Sequence, residues 1–278
     1  MKLGLDSYSY HLAFGAHPDF TPRRRLTLLG FIERAAALGL DGVQIDPMHL
    51  GARDRRYLDE VRAAARERGL FVEYGTMGTA PRRLAREIAV AARLGSPVLR
   101  TFVGCDRHDP RTDLRAAIRR AAADLRQVVG LAADHGVRLA VENHGDLATD
   151  ELLEVIDRVA SPWVGVCLDV GNPMLTLEEP LAAVSRLAAH AVTTHFKDYA
   201  VQQTNYGAKI VGVALGEGCI DLPAALQLIQ AVGRLDRLVL ELPIEATGNA
   251  TAALAHEDRC VRRSVAYARR LLGRARRR

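Results

Sequence analysis

The second half of the chain carries four residues whose types bind metal ions or move protons: Glu142, Asp169, His195 and Glu241. Each lies in or at the end of a short apolar run, in "AVEN", "VGVCLD", "TTHF" and "VLEL" respectively. Runs of this kind predict buried strands, and a carboxylate buried without a partner is very costly. The three carboxylates and the imidazole therefore need charged partners or a shared cation.

Three carboxylates placed close together repel one another, and a divalent cation supplies the neutralisation that they need. Carboxylate oxygens with one imidazole suit Mn²⁺, Mg²⁺ or Co²⁺, and Zn²⁺ can also be bound by such a set. The residues thus predict one divalent metal ion, with Mn²⁺ preferred. Taken singly, each residue could instead have a structural role, because strand-end glutamates often form structural ion pairs and histidines in apolar strands are often core residues.

An alternation of β-rich and helical segments along the chain can bring these four strand ends together. Strands are predicted at residues 2–8, 42–46, 70–75, 97–104, 137–143, 163–169, 191–197 and 237–243. Helices are predicted at residues 22–38, 53–68, 81–94, 112–135, 150–160, 177–189, 222–232 and 249–272. Eight alternating pairs with no linker predict an α/β protein, a (β/α)8 TIM barrel forming a single domain over residues 1–278. An open doubly wound sheet would typically carry a Gly-rich phosphate loop after an early strand, and the sequence has none.

Further candidates follow from the barrel, whose catalytic groups come from the carboxyl ends of its strands. His144 and Lys197 each stand two residues beyond a predicted ligand and are candidates for substrate contact. The alternatives are a turn-stabilising surface histidine and a solvated lysine. Glu73, at the end of the third strand, is predicted to line the pocket.

The longest irregular stretch, residues 198–221, is predicted to be a lid or a binding loop, since long loops in compact domains are usually functional. Its "GEG" at 216–218 is either a phosphate cradle or a tight turn. Arg100, on the fourth strand, is a candidate partner for a site carboxylate or a substrate phosphate.

Four motifs resemble the xylose-isomerase-like TIM-barrel superfamily: "VENHGDLATDELLEVID", "VGVCLDVGN", "THFKDY" and "GVALGEGCIDLPAAL". Within it they resemble most the sugar phosphate isomerase/epimerase group, which includes D-tagatose 3-epimerases and hydroxypyruvate isomerases. The resemblance covers most of the chain and implies a single divalent metal held by Glu142, Asp169, His195 and Glu241. It also implies that Glu142 and Glu241 act as the acid/base pair.

The sequence departs from the epimerase pattern in two places. Many epimerases have a histidine shortly after the strand-six aspartate, where this chain has Asn172. An asparagine can hydrogen-bond a substrate hydroxyl but carries no charge. The family's later substrate-binding arginine has no clear match, and Lys197 or Lys209 is the candidate replacement.

The resemblance implies an isomerase or epimerase that moves a proton through an enediolate on a small polyhydroxy ketone or aldehyde. One alternative is a lyase or dehydratase acting on a keto-sugar or keto-cyclitol, because elimination shares the first proton abstraction. A nuclease similar to the AP endonucleases of this superfamily would need a larger cluster of histidine and aspartate ligands. A non-catalytic binding barrel would not need two acid/base carboxylates.

The composition is that of an ordinary soluble protein, with 49% hydrophobic and 26% charged residues. The net charge is +5 and the pI about 9.2, but much of the excess lies in the tail "YARRLLGRARRR", residues 267–278. With few aromatic residues among these charges, no nucleic-acid partner is predicted. Four scattered cysteines, no signal peptide and no membrane-length apolar stretch predict a cytoplasmic protein, and analogy suggests a homodimer or homotetramer.

Overall fold

The computed structural model describes residues 1–17 and 20–275. Strands β1–β10 are Lys2–Asp6, Gly42–Ile45, Phe71–Gly75, Val98–Thr101, Arg138–Glu142, Val164–Asp169, Ala191–His195, Asp198–Thr204, Gly207–Val213 and Arg237–Leu240. Helices α1–α9 are His11–Phe14, Leu28–Ala37, Arg55–Glu67, Pro81–Leu94, Leu114–Asp134, Thr149–Val159, Pro180–Leu187, Leu222–Val232 and Ala250–Ala275.

Eight parallel strands form one sheet in the order β10-β1-β2-β3-β4-β5-β6-β7. The two ends of this order meet where Phe196 N donates to Val239 O at 2.7 Å and Glu241 N donates to Phe196 O at 3.3 Å. Strands such as β6 are buried along their whole length, which explains why they read as apolar runs with no alternation. The predicted (β/α)8 barrel is therefore confirmed.

The helices begin and end where local chemistry dictates. Asp54, Asp113 and Asp221 cap α3, α5 and α8 by accepting a backbone N–H of the first turn. The helix predicted at 22–38 begins only at Leu28, because Thr27 is the residue that caps it. No helix of the described ranges is long and apolar enough to cross a membrane. The basic tail is helical through Ala275, and residues 276–278 lie outside the described residues.

The stretch 198–221 is not the irregular loop that the sequence predicted. Its first part is an antiparallel hairpin in which β8 pairs with β9, closed by a two-residue turn between Thr204 and Gly207. The "GEG" segment is a turn: Gly216 N and Gly218 N each donate to Asp198 Oδ2 at 2.9 Å. A Cβ at position 218 would lie 2.1 Å from Asp198 Oδ1, so the close approach requires glycine. The phosphate-cradle alternative is wrong because a carboxylate of the chain already occupies these donors.

The last helix is joined to the segment after β1 by a buried carboxylate. Glu257 of α9 accepts Leu12 N at 2.7 Å and Ala13 N at 3.1 Å, and His11 Nδ1 lies 3.8 Å away. Burial raises the pKa of Glu257 from 4.5 to about 8. The folded protein therefore keeps a proton on Glu257 up to about pH 8, whereas the unfolded chain releases it near pH 4.5.

We expect Glu257→Gln to destabilise the protein, because the hydroxyl oxygen of the protonated carboxyl can still accept the second backbone N–H, whereas the NH₂ group of an amide only donates. The loss should be about 1–3 kcal/mol near pH 4.5 and should shrink as the pH rises towards about 8, since the wild type loses stability over that window. Urea unfolding across this pH range measures the difference. A difference that grows with pH would contradict the assignment.

Candidate active site

The carboxyl ends of four neighbouring strands bring the predicted ligands together. Glu142, Asp169 and His195 are the last residues of β5, β6 and β7, and Glu241 directly follows β10. All four are buried, and one ligand atom from each lies within 4.8 Å of the others. His195 Nδ1 is 3.0 Å from Glu142 Oε1, 3.1 Å from Glu241 Oε2 and 3.8 Å from Asp169 Oδ2. The convergence expected from the strand ends is present.

Buried carboxylate oxygens at the centre of this cluster fit a cation. Glu142 Oε2, Asp169 Oδ2 and Glu241 Oε2 lie in ion pairs with Arg100, Lys197 and His195 rather than in well-aligned hydrogen bonds. The other oxygen of Asp169, Oδ1, accepts Gly171 N and Asn172 N, both at 2.8 Å, which holds Oδ2 towards the cluster. Three carboxylates and one imidazole are a donor set that a divalent cation prefers.

A buried lysine lies inside the cluster. Lys197 Nζ is 2.8 Å from Asp169 Oδ2 and forms a second ion pair with Glu241 Oε2. Burial opposes ionisation of Glu241, but His195 and Lys197 outweigh it and hold its pKa well below the ordinary value. The alternative interpretation of Lys197 as a solvated lysine is therefore wrong, since this residue is only 4% exposed.

A buried arginine neutralises the opposite side of the cluster. Arg100 Nε is 3.3 Å from Glu142 Oε2, and its Nη2 donates to Asp46 Oδ2 at 3.2 Å. Burial opposes ionisation of Glu142, but His195 and Arg100 lower its pKa to about 2. Arg100 thus pairs with a site carboxylate, as one of its two predicted roles required.

Counting charges leaves room for one divalent cation. Burial, reinforced by Glu241, raises the pKa of Asp6 to about 8, so this carboxyl is largely protonated at neutral pH. The remaining carboxylates of the network are those of Asp46, Glu142, Asp169 and Glu241, and the fixed cations are Arg100 and Lys197. In the metal-free protein burial opposes the charge on His195, but the surrounding acidic groups outweigh it and hold its pKa well above 6.5. With the imidazole neutral, as a metal ligand requires, two negative charges stay uncompensated.

Asn172 and Tyr199 also lie beside this cluster. Asn172 Nδ2 donates to Glu142 Oε1 at 3.2 Å, and Asn172 Oδ1 accepts Tyr199 Oη at 3.2 Å and Lys197 Nζ at 3.4 Å. Asn172 therefore contacts the four-residue cluster directly through Glu142. The sequence reasoning missed Tyr199, whose only signal was its position four residues after His195 in "HFKDY".

Three other predicted substrate-binding residues lie at different places. His144 is exposed and stacks on Phe102 with the ring centroids 4.0 Å apart. Lys209 is carried away from the cluster by β9 and pairs at the surface with Glu245. Glu73 lies in the barrel interior, where Oε2 accepts Gln44 Nε2 at 2.9 Å and Thr193 Oγ1 at 2.6 Å. The structure thus brings neither Lys209 nor Glu73 into contact with the four-residue cluster.

One thiol shares the site. Cys167 forms a second, overlapping group with Glu142 and His195, but burial raises its pKa to about 12. The thiol therefore stays neutral and behaves as an inert core residue. Within the described ranges, these two overlapping groups are the only sets of three or more potential ligands close enough to hold a metal, so the larger cluster of the nuclease alternative is not formed there.

The comparisons with known proteins agree with this architecture. The family model described as "Xylose isomerase-like TIM barrel" matches residues 32–271. A 3-oxo-isoapionate decarboxylase of Pectobacterium atrosepticum is 30% identical over 272 residues, covering 96% of this chain and 94% of that protein.

Solved structures share the fold at lower identity. The D-psicose 3-epimerase of Clostridium cellulolyticum H10, solved with D-tagatose, superposes with a TM-score of 0.75 at 16% identity, covering 98% of this chain and 99% of the other. The IOLI protein, solved with a bound zinc atom, gives 0.71 at 15% identity, covering 96% and 99%.

Proposed function

This chain belongs to the xylose isomerase-like TIM barrel family, and from that premise we propose that it is a divalent-metal-dependent enzyme acting on a small polyhydroxy carbonyl compound. The proposal rests on one observation, the buried convergence of three carboxylates and one imidazole at neighbouring strand ends. The reaction passes through an enediolate, the species that such a site is suited to stabilise.

The metal ion would be held by Glu142, Asp169, His195 and Glu241, with Mn²⁺ preferred. When bound, a divalent ion polarises a carbonyl and its adjacent hydroxyl and so acidifies the neighbouring C–H. In the isomerase or epimerase reaction, one glutamate of the pair Glu142 and Glu241 removes that proton and the other returns one. Return to the neighbouring carbon isomerises the substrate, and return to the opposite face epimerises it.

Asn172, Tyr199 and Lys197 would bind and orient the substrate. The amide and the phenol, which contact each other and the ammonium, would offer hydrogen bonds to hydroxyl groups, and the ammonium would stabilise the negative charge that develops during proton abstraction. Because Asn172 takes the place of a histidine of many epimerases, we propose a substrate that differs from theirs at this contact.

Decarboxylation is the second candidate reaction, and the buried Lys197 favours it. An ammonium beside Asp169 and Glu241 can receive the carboxylate of a 3-oxo acid. The electrons of the broken C–C bond then pass into the carbonyl, CO₂ leaves, and a protein group returns one proton to the resulting enolate, which is an enediolate where the carbon that loses CO₂ carries a hydroxyl group. A relative named as a 3-oxo-isoapionate decarboxylase, 30% identical over nearly the whole chain, supports this lyase alternative.

One experiment tests the proposal and separates the two reactions. The Mn²⁺-loaded protein is incubated in D₂O with D-tagatose, D-fructose and D-allulose, and separately with 3-oxo-isoapionate. Deuterium at the carbon next to the carbonyl together with a second ketose indicates isomerisation or epimerisation. Release of CO₂ with one deuterium in the product indicates decarboxylation. A protein that binds no divalent ion and turns over none of these compounds would contradict the proposal.

We expect Lys197→Met to separate the two reactions further. If the ammonium binds a substrate carboxylate, its loss removes a charged hydrogen bond of about 1.5–3 kcal/mol, or roughly a 10- to 150-fold rise in KM for 3-oxo-isoapionate. Steady-state kinetics measures this rise. The matched control is Lys2→Met, an exposed lysine at the start of β1. An unchanged KM would exclude the carboxylate contact.

A further inference from the structure

We propose that Gln44, held by Glu73, is a positioning residue that selects which ring nitrogen of His195 faces the metal. This inference rests on the proposed function, because it concerns how the chain presents one of the proposed ligands. Neither the motifs nor the family resemblance pointed to Gln44, which lies inside β2 rather than at a strand end.

A buried chain of hydrogen bonds runs from Glu73 to His195. Gln44 Oε1 is 2.6 Å from His195 Nε2, and Gln44 Nε2 donates to Glu73 Oε2 at 2.9 Å. Thr193 Oγ1 donates to the same Glu73 oxygen at 2.6 Å. The side chains are between 0% and 1% exposed, so water does not compete for these groups.

The chemistry of the groups fixes the direction of this chain. Glu73 Oε2 accepts hydrogen bonds from both Thr193 Oγ1 and Gln44 Nε2, so the NH₂ group of Gln44 faces Glu73. The carbonyl oxygen of Gln44 then faces His195, and because it only accepts, the imidazole must carry its hydrogen on Nε2. In the neutral imidazole that a metal ligand requires, Nδ1 is left with the free lone pair.

Nδ1 is the nitrogen that faces the carboxylates. It lies 3.0 Å from Glu142 Oε1 and 3.1 Å from Glu241 Oε2, whereas Nε2 points to Gln44 on the other side of the ring. The hydrogen bond on one nitrogen of a histidine sets the availability of the other. Gln44 therefore holds both the tautomer and the rotation of the ring in the form that can bind a metal.

The fold makes this arrangement rigid. Gln44 and Glu73 are register partners on β2 and β3, and from across the barrel interior they reach His195 and Thr193, which both lie on β7. Asp6 also lies near Nε2, but its Oδ2 is 3.9 Å away, beyond hydrogen-bonding distance. The strand register rather than a flexible loop thus sets the position of the imidazole.

The test compares Gln44→Met with a double variant that exchanges the two polar groups, Gln44→Glu with Glu73→Gln. Methionine has a similar size but offers no strong hydrogen bond, so we expect the Kd for Mn²⁺, measured by titration, to rise about 10- to 100-fold. In the exchange variant, the carboxylate at position 44 accepts from His195 Nε2–H and from the amide at position 73, and that amide also donates to Thr193. We expect it to restore the wild-type Kd.

A second measurement reports the tautomer directly. The ¹⁵N spectrum of His195 in the Zn²⁺-loaded wild type and exchange variant should show the hydrogen on Nε2 alone, and in Gln44→Met this signature should be lost or mixed. Gln202→Met, the same replacement on the exposed part of β8, is the control for which neither the Kd nor the spectrum should change.

The possible results separate this inference from the proposed function. A wild type that binds no Mn²⁺ would overturn the proposed function. A wild type and a Gln44→Met variant that bind Mn²⁺ equally tightly would overturn the inference alone. An exchange variant as weak as Gln44→Met would show that packing, not hydrogen-bond direction, is responsible. Should Gln44→Met fail to fold, the exchange variant still supports or contradicts the inference.

Discussion

Glu241→Gln is expected to lower kcat by about 10²–10⁴-fold, the range that a positioned acid or base contributes. A glutamine fills the same space but can neither take up nor release a proton, and it cannot balance Lys197 and His195 with a negative charge. Deuterium exchange into whichever compound of the D₂O panel proves to be the substrate measures the loss. Glu142→Gln should have an effect of the same size.

Glu245→Gln is the matched control, because this glutamate is four residues away but lies half-exposed at the surface with Lys209. Its turnover should equal that of the wild type. Thermal unfolding of each variant checks the fold, particularly for Glu142→Gln, which leaves the buried Arg100 with Asp46 as its remaining ion-pair partner. A folded Glu241→Gln or Glu142→Gln variant with near wild-type kcat would remove that residue from the acid/base pair.

Asp169→Ala is expected to abolish metal binding. The wild type should carry about one Mn²⁺ per chain, and the variant should carry little, because the change removes Oδ2 from the centre of the cluster. It also frees Gly171 N and Asn172 N, which Oδ1 accepts, so the segment that carries Asn172 loses its anchor. Elemental mass spectrometry on protein purified without a metal-affinity tag and incubated with Mn²⁺ measures the content.

Asp221→Ala is the control for Asp169→Ala, because it also removes an aspartate that accepts a backbone N–H but does not remove a predicted metal ligand. Asp221 accepts a backbone N–H at the start of α8. This variant should keep the wild-type metal content and lose about 1 kcal/mol of stability. Full metal content in Asp169→Ala would show that the ligand set is wrong. Near-zero metal content in both the wild type and Asp169→Ala would leave the buried carboxylates without a counter-charge. The isomerase interpretation would then be the first to be abandoned.

The ligand cluster could be predicted from the sequence because each member sits at the end of its own strand. A buried strand is a local signal, and a barrel aligns the ends of its strands, so Glu142 and Asp169 could be brought together without any knowledge of their contacts. Asp6 escaped this reasoning because the first strand was predicted to run on to residue 8. The strand ends at Asp6, and the Asp6 carboxyl therefore lies at a strand end, as the side chains of the four predicted ligands do.

Contacts that depend on register or on twist could not be predicted. Gln44 contacts His195 only because β2 and β3 pair in one particular register and face β7 across the barrel. No feature of the sequence "GVQID" predicts this contact. Lys209 was misplaced for the opposite reason, since the segment that carries it is a strand of a separate hairpin. In that hairpin the polar residues "QQT" obscured the alternation that would have indicated a strand.

The pairing of the first strand with the last has a consequence for how the protein is made. Leu3 lies opposite Leu238, so during synthesis β1 keeps one edge unpaired until β10 has left the ribosome. Closing contacts between such distant residues is slow and exposes sheet edges meanwhile. Glu241 follows the closing strand directly and is the last of the four ligands to be translated. A nascent chain therefore cannot assemble the complete ligand set before its barrel has closed.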